Sequence, residues 1–442
     1  MARPEPTVRA RLESILAAIE AAGGDGGRAF RKVHAAEARA AADAADARAA
    51  AGSRLGPLDG CLVSVKELFD IAGETTTAGS RLRLGAPPAA EDAEVVRRLR
   101  AAGAILVGRT AMSEFAFSGV GINPHFGTPG NPADPDRIPG GSSSGAAATI
   151  GAGYADLAIG SDTGGSSRIP PALCGHVGLK PSTGRIPIRG AFPLSTTLDT
   201  VGLLAGSVGL ARAAFSVLAD GAGAPPGAPD PARLRLGLVR SPRLLAETEP
   251  EILAAFVGAC GRLSAAGAAI EEVGMEDLLD GIAGLNELGT FPGIELAATL
   301  KGEFPARAAL MDPLIVARLE RMLAVPALDY VLMQRRRAAL LEAVRPRFRD
   351  LDALILPTVP IRAPRIADLA DPAAFARANL LLLRNTIPAN ILDLPSASVP
   401  LPMPAGSLPA GLMLMGASGT DETLWAVAET VEAVLARPAA AA

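Results

Sequence analysis

The chain has 442 residues, 49% hydrophobic and 20% charged, which is enough apolar material for large buried cores and excludes a disordered polypeptide. Length alone suggests about three domains. A net charge of −4 argues against an electrostatic nucleic-acid binder, and three widely spaced cysteines, Cys61, Cys174 and Cys260, argue against a disulfide framework or a structural zinc site.

The first residues, MARPEPTVRARLES, lack an apolar signal-peptide core, and no uninterrupted apolar run reaches about 18 residues, so the expectation is a soluble, cytoplasmic chain without a membrane span. Residues 8–50 read as two helices: Val8, Leu12, Ile15, Leu16 and Ile19 recur at helical spacing, and 35–51 is alanine-rich. Residues 61–66 (CLVSVK) form a strand candidate. A helix over 92–102, closed by Gly103, and a strand over 104–109 follow. This alternation predicts a mostly parallel sheet with helices on both faces. Residues 118–145, rich in Gly, Pro, Asn and Ser, read as a long loop; 146–151 reads as helix and 155–160 as strand. The stretch 222–231 (AGAPPGAPDP) is a linker or an internal surface loop. Beyond it come strands at 236–240 and 269–273 around a helix at 250–266, and a long helix over 328–348. A strand at 353–357, a helix at 372–387, strands at 397–400 and 410–416, and a last helix at 422–435 complete the pattern.

Chemistry concentrates in residues 139–145 (PGGSSSG) and 160–168 (GSDTGGSSR). Neither ends in the Gly-Lys-Ser/Thr of a phosphate loop. Residues 141–145 match Gly-x-Ser-x-Gly, which would make Ser143 the nucleophile of a hydrolase elbow. That reading needs a late histidine. Only His34, His125 and His176 exist, and of these only His176 follows the serine. A serine can instead be activated by a lysine held neutral through burial. The chain has four lysines, Lys32, Lys66, Lys180 and Lys301, and Lys66 ends an apolar strand. Its plain alternative is a side chain reaching solvent from a strand end.

Geometry pairs the two serine loops. A helix of about ten residues rises roughly 15 Å, and the following strand rises about 17–20 Å. Residues 162–166 therefore return beside Ser142. Asp162, Thr163, Gly164, Gly165 and Ser166 then make a tight turn whose N–H groups suit an oxyanion; the plain reading is a structural turn.

These residues resemble the amidase signature family. Lys66 lies in residues 56–80 (GPLDGCLVSVKELFDIAGETTTAGS), and 140–145 (GGSSSG) with 160–170 (GSDTGGSSRIP) matches the signature. Ser142 and Ser166 stand 24 residues apart, the family's spacing for its two serines. Residues 97–115, 174–184, 198–202, 356–360, 394–400 and 408–416 add matches, so the resemblance runs from about 54 to 435. Gly145-Ala146, Ser167 and Thr110-Ala111 depart from the usual pattern without touching the lysine or either serine.

The resemblance implies a single large α/β domain with a mixed sheet covered by helices on both faces. It would span 54–437, with 222–231 an internal loop, residues 1–53 as helices packing on the core, and 438–442 a tail. It implies a Ser-Ser-Lys triad: Ser166 as nucleophile, Ser142 as bridge after a cis Gly141–Ser142 bond, and Lys66 as base. Backbone N–H groups of Thr163, Gly164, Gly165 and Ser166 would bind the oxyanion. The implied reaction is hydrolysis of a small-molecule carboxamide to an acid and ammonia or an amine. No cofactor, metal, nucleic acid or membrane is implied, and a homodimer is left open. Asp162 and Arg168 read as structural partners of the turn, with substrate contact as the alternative, and Cys174 with His176 as too few ligands for a metal.

Two other readings of the same fold stand beside this one: the amidase (A) subunit of a tRNA-dependent amidotransferase, and a non-catalytic binding protein. Substrate choice is expected to lie in residues 112–128, 280–330 and 360–390, where no cluster of basic residues dictates an acidic substrate.

Overall fold

A computed structural model describes residues 6–24, 26–223 and 225–437; the tail expected at 438–442 lies outside them. Among the described residues eleven strands form one sheet. In chain order they are β1 (Phe30–Val33), β2 (Leu62–Lys66), β3 (Ile105–Thr110), β4 (Leu157–Asp162), β5 (Val177–Lys180), β6 (Thr200–Ala205), β7 (Arg235–Val239), β8 (Ala269–Val273), β9 (Ala353–Pro357), β10 (Ser396–Pro400) and β11 (Gly411–Met415). Their spatial order is β1-β3-β2-β4-β6-β5-β10-β11-β9-β7-β8.

Helices lie on both sides, as the side-chain alternation requires. In β9 and β11, Ala353, Ile355, Leu412 and Leu414 enter one apolar core, while Leu354, Leu356, Met413 and Met415 enter another. The sheet is mixed rather than mostly parallel. β2 runs parallel to β3 and β4, and β7 to β8 and β9, but the centre, β4-β6-β5-β10-β11-β9, is antiparallel throughout. The expectation of parallel strands took each helix for a crossover. β6 instead reverses beside β4, and β10 and β11 lie side by side in antiparallel register.

Length suggested three domains, yet β7, which follows the Pro/Gly-rich stretch 222–231, joins the common sheet through β9. The N-terminal segment also joins it. Between the helices Val8–Ala21 and Ala35–Ala50, the strand β1 pairs antiparallel with β3. The sequence hid this strand because FRKV is only four residues long. Leu12, Ile19, Ala38 and Ala42 pack on Leu62, Ile105 and Val107. Among the described residues no helix is long and apolar enough to cross a membrane.

Candidate active site

Strand alternation decides where Lys66 points. Val63 and Val65 enter one core, so Leu62, Ser64 and Lys66 face the other side of β2. The helix Ser144–Gly151 covers that side, and Ser64 and Thr149 share a hydrogen bond of 2.8 Å beneath it. The Lys66 ammonium is fully buried. Its Nζ lies 2.7 Å from Ser142 Oγ, 2.9 Å from Ser161 Oγ and 3.1 Å from Ser143 Oγ. Ser142 Oγ in turn lies 2.8 Å from Ser166 Oγ. Lys66, Ser142 and Ser166 therefore form one unbroken chain of hydrogen bonds, and the Gly141–Ser142 peptide is cis.

Burial pushes the Lys66 ammonium down to about 7, against the pull of the Asp199 and Asp162 carboxylates. Burial likewise pushes Asp199 up to about 6, against hydrogen bonds from Thr163 Oγ1 and from the N–H groups of Ser195 and Leu194. The other lysines differ. Lys180 is buried at the end of β5 and donates to the Pro181 carbonyl, while Lys32 meets Glu74 at the surface.

The turn after β4 is built around Asp162. Its carboxylate accepts from Gly165 N (2.8 Å), Ser167 N (3.0 Å) and Ser167 Oγ (2.9 Å). It also accepts from Arg168 through Nε (3.0 Å) and Nη2 (2.9 Å), and from Asn390 Nδ2 (2.8 Å). Asp162 and Arg168 are both fully buried, and the guanidinium holds the carboxyl well below its ordinary range even though burial opposes this. Gly165 has φ +140°, and a Cβ there would come within 2.3 Å of Thr386 Oγ1. Thr386 Oγ1 donates to the Gly164 carbonyl at 2.6 Å. Among the described residues, the N–H groups of Thr163, Gly164 and Ser166 have no protein acceptor, whereas that of Gly165 is held by Asp162. This corrects the expected oxyanion set: Gly165 shapes the turn, and Thr163, Gly164 and Ser166 keep their donors.

Thr163, Gly164 and Ser166 open on a cavity of about 170 Å³. Its walls are largely apolar, with Leu194, Leu198, Phe291, Met333 and Leu383 among them. Each stretch expected to set substrate choice contributes: 116–119 from the first, 285–286, 290–292 and Arg318 from the second, Leu383 and Ile387 from the third. Ser143 does not line it. That hydroxyl is buried between Lys66 Nζ and the Ser161 carbonyl, and no hydrogen bond joins it to His176, so the elbow reading finds no geometry here. Sequence reasoning missed Ser161, Asp199, Thr386 and Asn390 as parts of the site. Ser161 and Asp199 stood in matching segments, 160–170 and 198–202, that gave no hint of their closeness to Lys66; Thr386 and Asn390 carried no signal.

The Amidase family model matches residues 11–425, and this chain belongs to that family, whose relatives here are enzymes acting on amide C–N bonds. It is 37% identical to 2-amino-5-chloromuconic acid deaminase of Comamonas testosteroni over 92% of this chain and 88% of that one. It is 36% identical to the A subunit of glutamyl-tRNA(Gln) amidotransferase from Anaeromyxobacter sp. (strain K) over 95% and 92%. Among solved structures, 6-aminohexanoate cyclic dimer hydrolase superposes with a TM-score of 0.86 at 25% identity, covering 98% of this chain and 95% of that one.

Proposed function

We propose that the protein hydrolyses a small carboxamide through an acyl-enzyme on Ser166, with Ser142 and Lys66 as the proton relay. The observation that carries this reading is the continuous chain Lys66 Nζ–Ser142 Oγ–Ser166 Oγ, at 2.7 and 2.8 Å, ending at the cavity. A buried lysine near neutrality can accept a proton, and hydroxyl rotors let both links run toward it.

Ser166 Oγ attacks the amide carbon and its proton passes through Ser142 to Lys66. The oxyanion meets the N–H groups of Thr163, Gly164 and Ser166. Lys66 returns the proton through Ser142 to the departing nitrogen, which leaves as ammonia or an amine. Water then attacks the ester, giving up a proton along the same relay, and the carboxylic acid leaves as Ser166 is restored. The Asp199 carboxylate favours the protonated lysine through space. The test is a serine-directed fluorophosphonate combined with an ammonia-release assay: the label should land on Ser166, and Ser166→Ala should lose both label and turnover. Labelling of Ser143 instead would replace this reading.

The second reading is the amidase component of a tRNA-dependent amidotransferase, favoured by the similarity to the Anaeromyxobacter protein over nearly the whole chain. Glutaminase activity that appears only on adding the companion subunits with tRNA would establish it; turnover of simple amides by the isolated chain counts against it.

A further inference from the structure

Among the described residues the cavity walls hold one charged side chain, Arg318, on the helix Pro313–Leu323. Two contacts fix it. Nη1 donates to the Phe117 carbonyl at 2.7 Å, and the guanidinium carbon lies 3.8 Å from the centre of the Phe117 ring. The helix itself is tied to the same rim, because the Asp312 N–H donates to Glu114 Oε2 at 2.7 Å. Arg318 is thus held in place by the loop that continues into Ser118 and Gly119, also on the cavity wall.

Arg318 shares with Arg337 and Arg384 the lack of a carboxylate partner among the described residues, but of the three it alone lines the cavity. Arg168, the other arginine beside the site, is matched on every side by Asp162, Asn390 and the Thr386 carbonyl. Among the described residues no carboxylate lies within 4.0 Å of Arg318, although arginine–carboxylate pairs are common elsewhere in the chain. Burial pushes its pKa down to about 10; Arg321 adds to this, and Asp312 is too distant to pair. The Asp312 side chain is already used to cap its own helix at Leu314 N. A guanidinium has five N–H donors and one is used. A partly desolvated cation without a counterion is unfavourable, and the surrounding walls supply no acceptor that balances it.

We infer that Arg318 is a specificity-determining residue that binds a carboxylate on the substrate, so that the substrates are small acids carrying their carboxamide at the other end. The planar fork of an arginine matches a carboxylate in two parallel hydrogen bonds, which fixes orientation as well as charge. The apolar stretch between Arg318 and the turn at Ser166 would take the carbon skeleton. An anion held there also presents the amide to Ser166 in one sense only. A single arginine does this where the sequence showed no basic cluster. The inference rests on the amidase reading above.

The experiment compares matched pairs: succinamate, glutaramate and adipamate against butanamide, pentanamide and hexanamide. The wild-type protein should prefer the best acid over its neutral partner by at least about a hundredfold in kcat/KM, mostly through KM. In Arg318→Met that ratio should collapse toward one, and Arg318→Lys should restore part of it. A wild-type ratio near one, or an Arg318→Met protein whose ratio is unchanged, overturns the inference. A second readout covers a cavity that turns over none of these amides: protection of Ser166 from the fluorophosphonate by glutarate or adipate. Protection by the dicarboxylates but not by 1,5-pentanediol, lost in Arg318→Met, supports the inference, and no protection by any dicarboxylate sinks it. The two readings fail separately. Ser166-dependent turnover without charge preference removes only the role of Arg318, whereas turnover that survives Ser166→Ala removes the amidase mechanism.

Discussion

The β2–β4 side of the cavity and the helical side facing it are held by different forces. Around Lys66, Ser142, Ser166 and Asp162 nearly every contact is a directed hydrogen bond between buried groups, several involving a charge. Across the cavity, Leu198, Phe291, Met333 and Leu383 are apolar side chains from separate elements that meet only by packing. Removing one member of a polar network strands its partners without water. Removing part of an apolar wall changes the shape of the space and little else. The first side should therefore govern kcat, and the second KM and substrate choice.

The largest expected effect is at Ser166. Ser166→Ala should lower turnover by about 10⁴-fold or more, with Ser143→Ala remaining measurably active. Close behind is Lys66→Ala, whose loss should not add to that of Ser142→Ala, because the relay fails as a unit. Lys66→Arg should not restore activity, since a guanidinium stays protonated. These variants sharpen the contrast if their losses fall on kcat, as steady-state kinetics would reveal.

The pH profile gives a signed test. On the proposed relay the neutral form of Lys66 is the active one, so activity should rise as pH climbs through about 7 and fall below it. The Asp199 and Asp162 carboxylates both favour the charged state of Lys66 through space. Replacing Asp199 by Asn removes one of these and should move the acid limb to lower pH. A shift upward, or an acid limb abolished by changing His34, His125 or His176, would give proton transfer to another group.

At Asp162 the contrast extends to stability. Asp162→Ala leaves the buried Arg168 guanidinium without its carboxylate and should cost about 3–5 kcal/mol, read from urea unfolding. Thr386→Val removes the hydrogen bond to the Gly164 carbonyl and should cost about 0.5–1.5 kcal/mol with a modest fall in kcat. The smallest effect belongs to the apolar wall. Leu383→Ala should raise KM by about tenfold and leave kcat within a few-fold. A Leu383→Ala protein that lost kcat instead would break the division between the two sides.

What the sequence alone determined follows the range of the forces involved. β8 and β9 were legible to the residue, because short apolar or β-branched runs between turn residues leave few alternatives. Lys66 ends an apolar strand, and Ser142, Thr163, Gly164 and Ser166 sit in two compact motifs that a helix and a strand of matched length bring together; their expected roles came from the family resemblance those segments carry. The structure alone decided what depends on distant segments meeting. β5 is only four residues long and carries Gly178, and β6 carries Gly202; each becomes a strand by pairing with neighbours rather than by its own propensity. Asp199 approaches Lys66 only because β6 reverses beside β4. Thr386 and Asn390 reach the turn from more than two hundred residues away in the chain. Arg318 looks like either of the two arginines of its helix, and its meaning rests on the lack of a carboxylate partner among the described residues at the cavity wall. A sequence encodes which side chains are present and how nearby ones repeat. Which charges end up paired is settled by the packing of the whole chain.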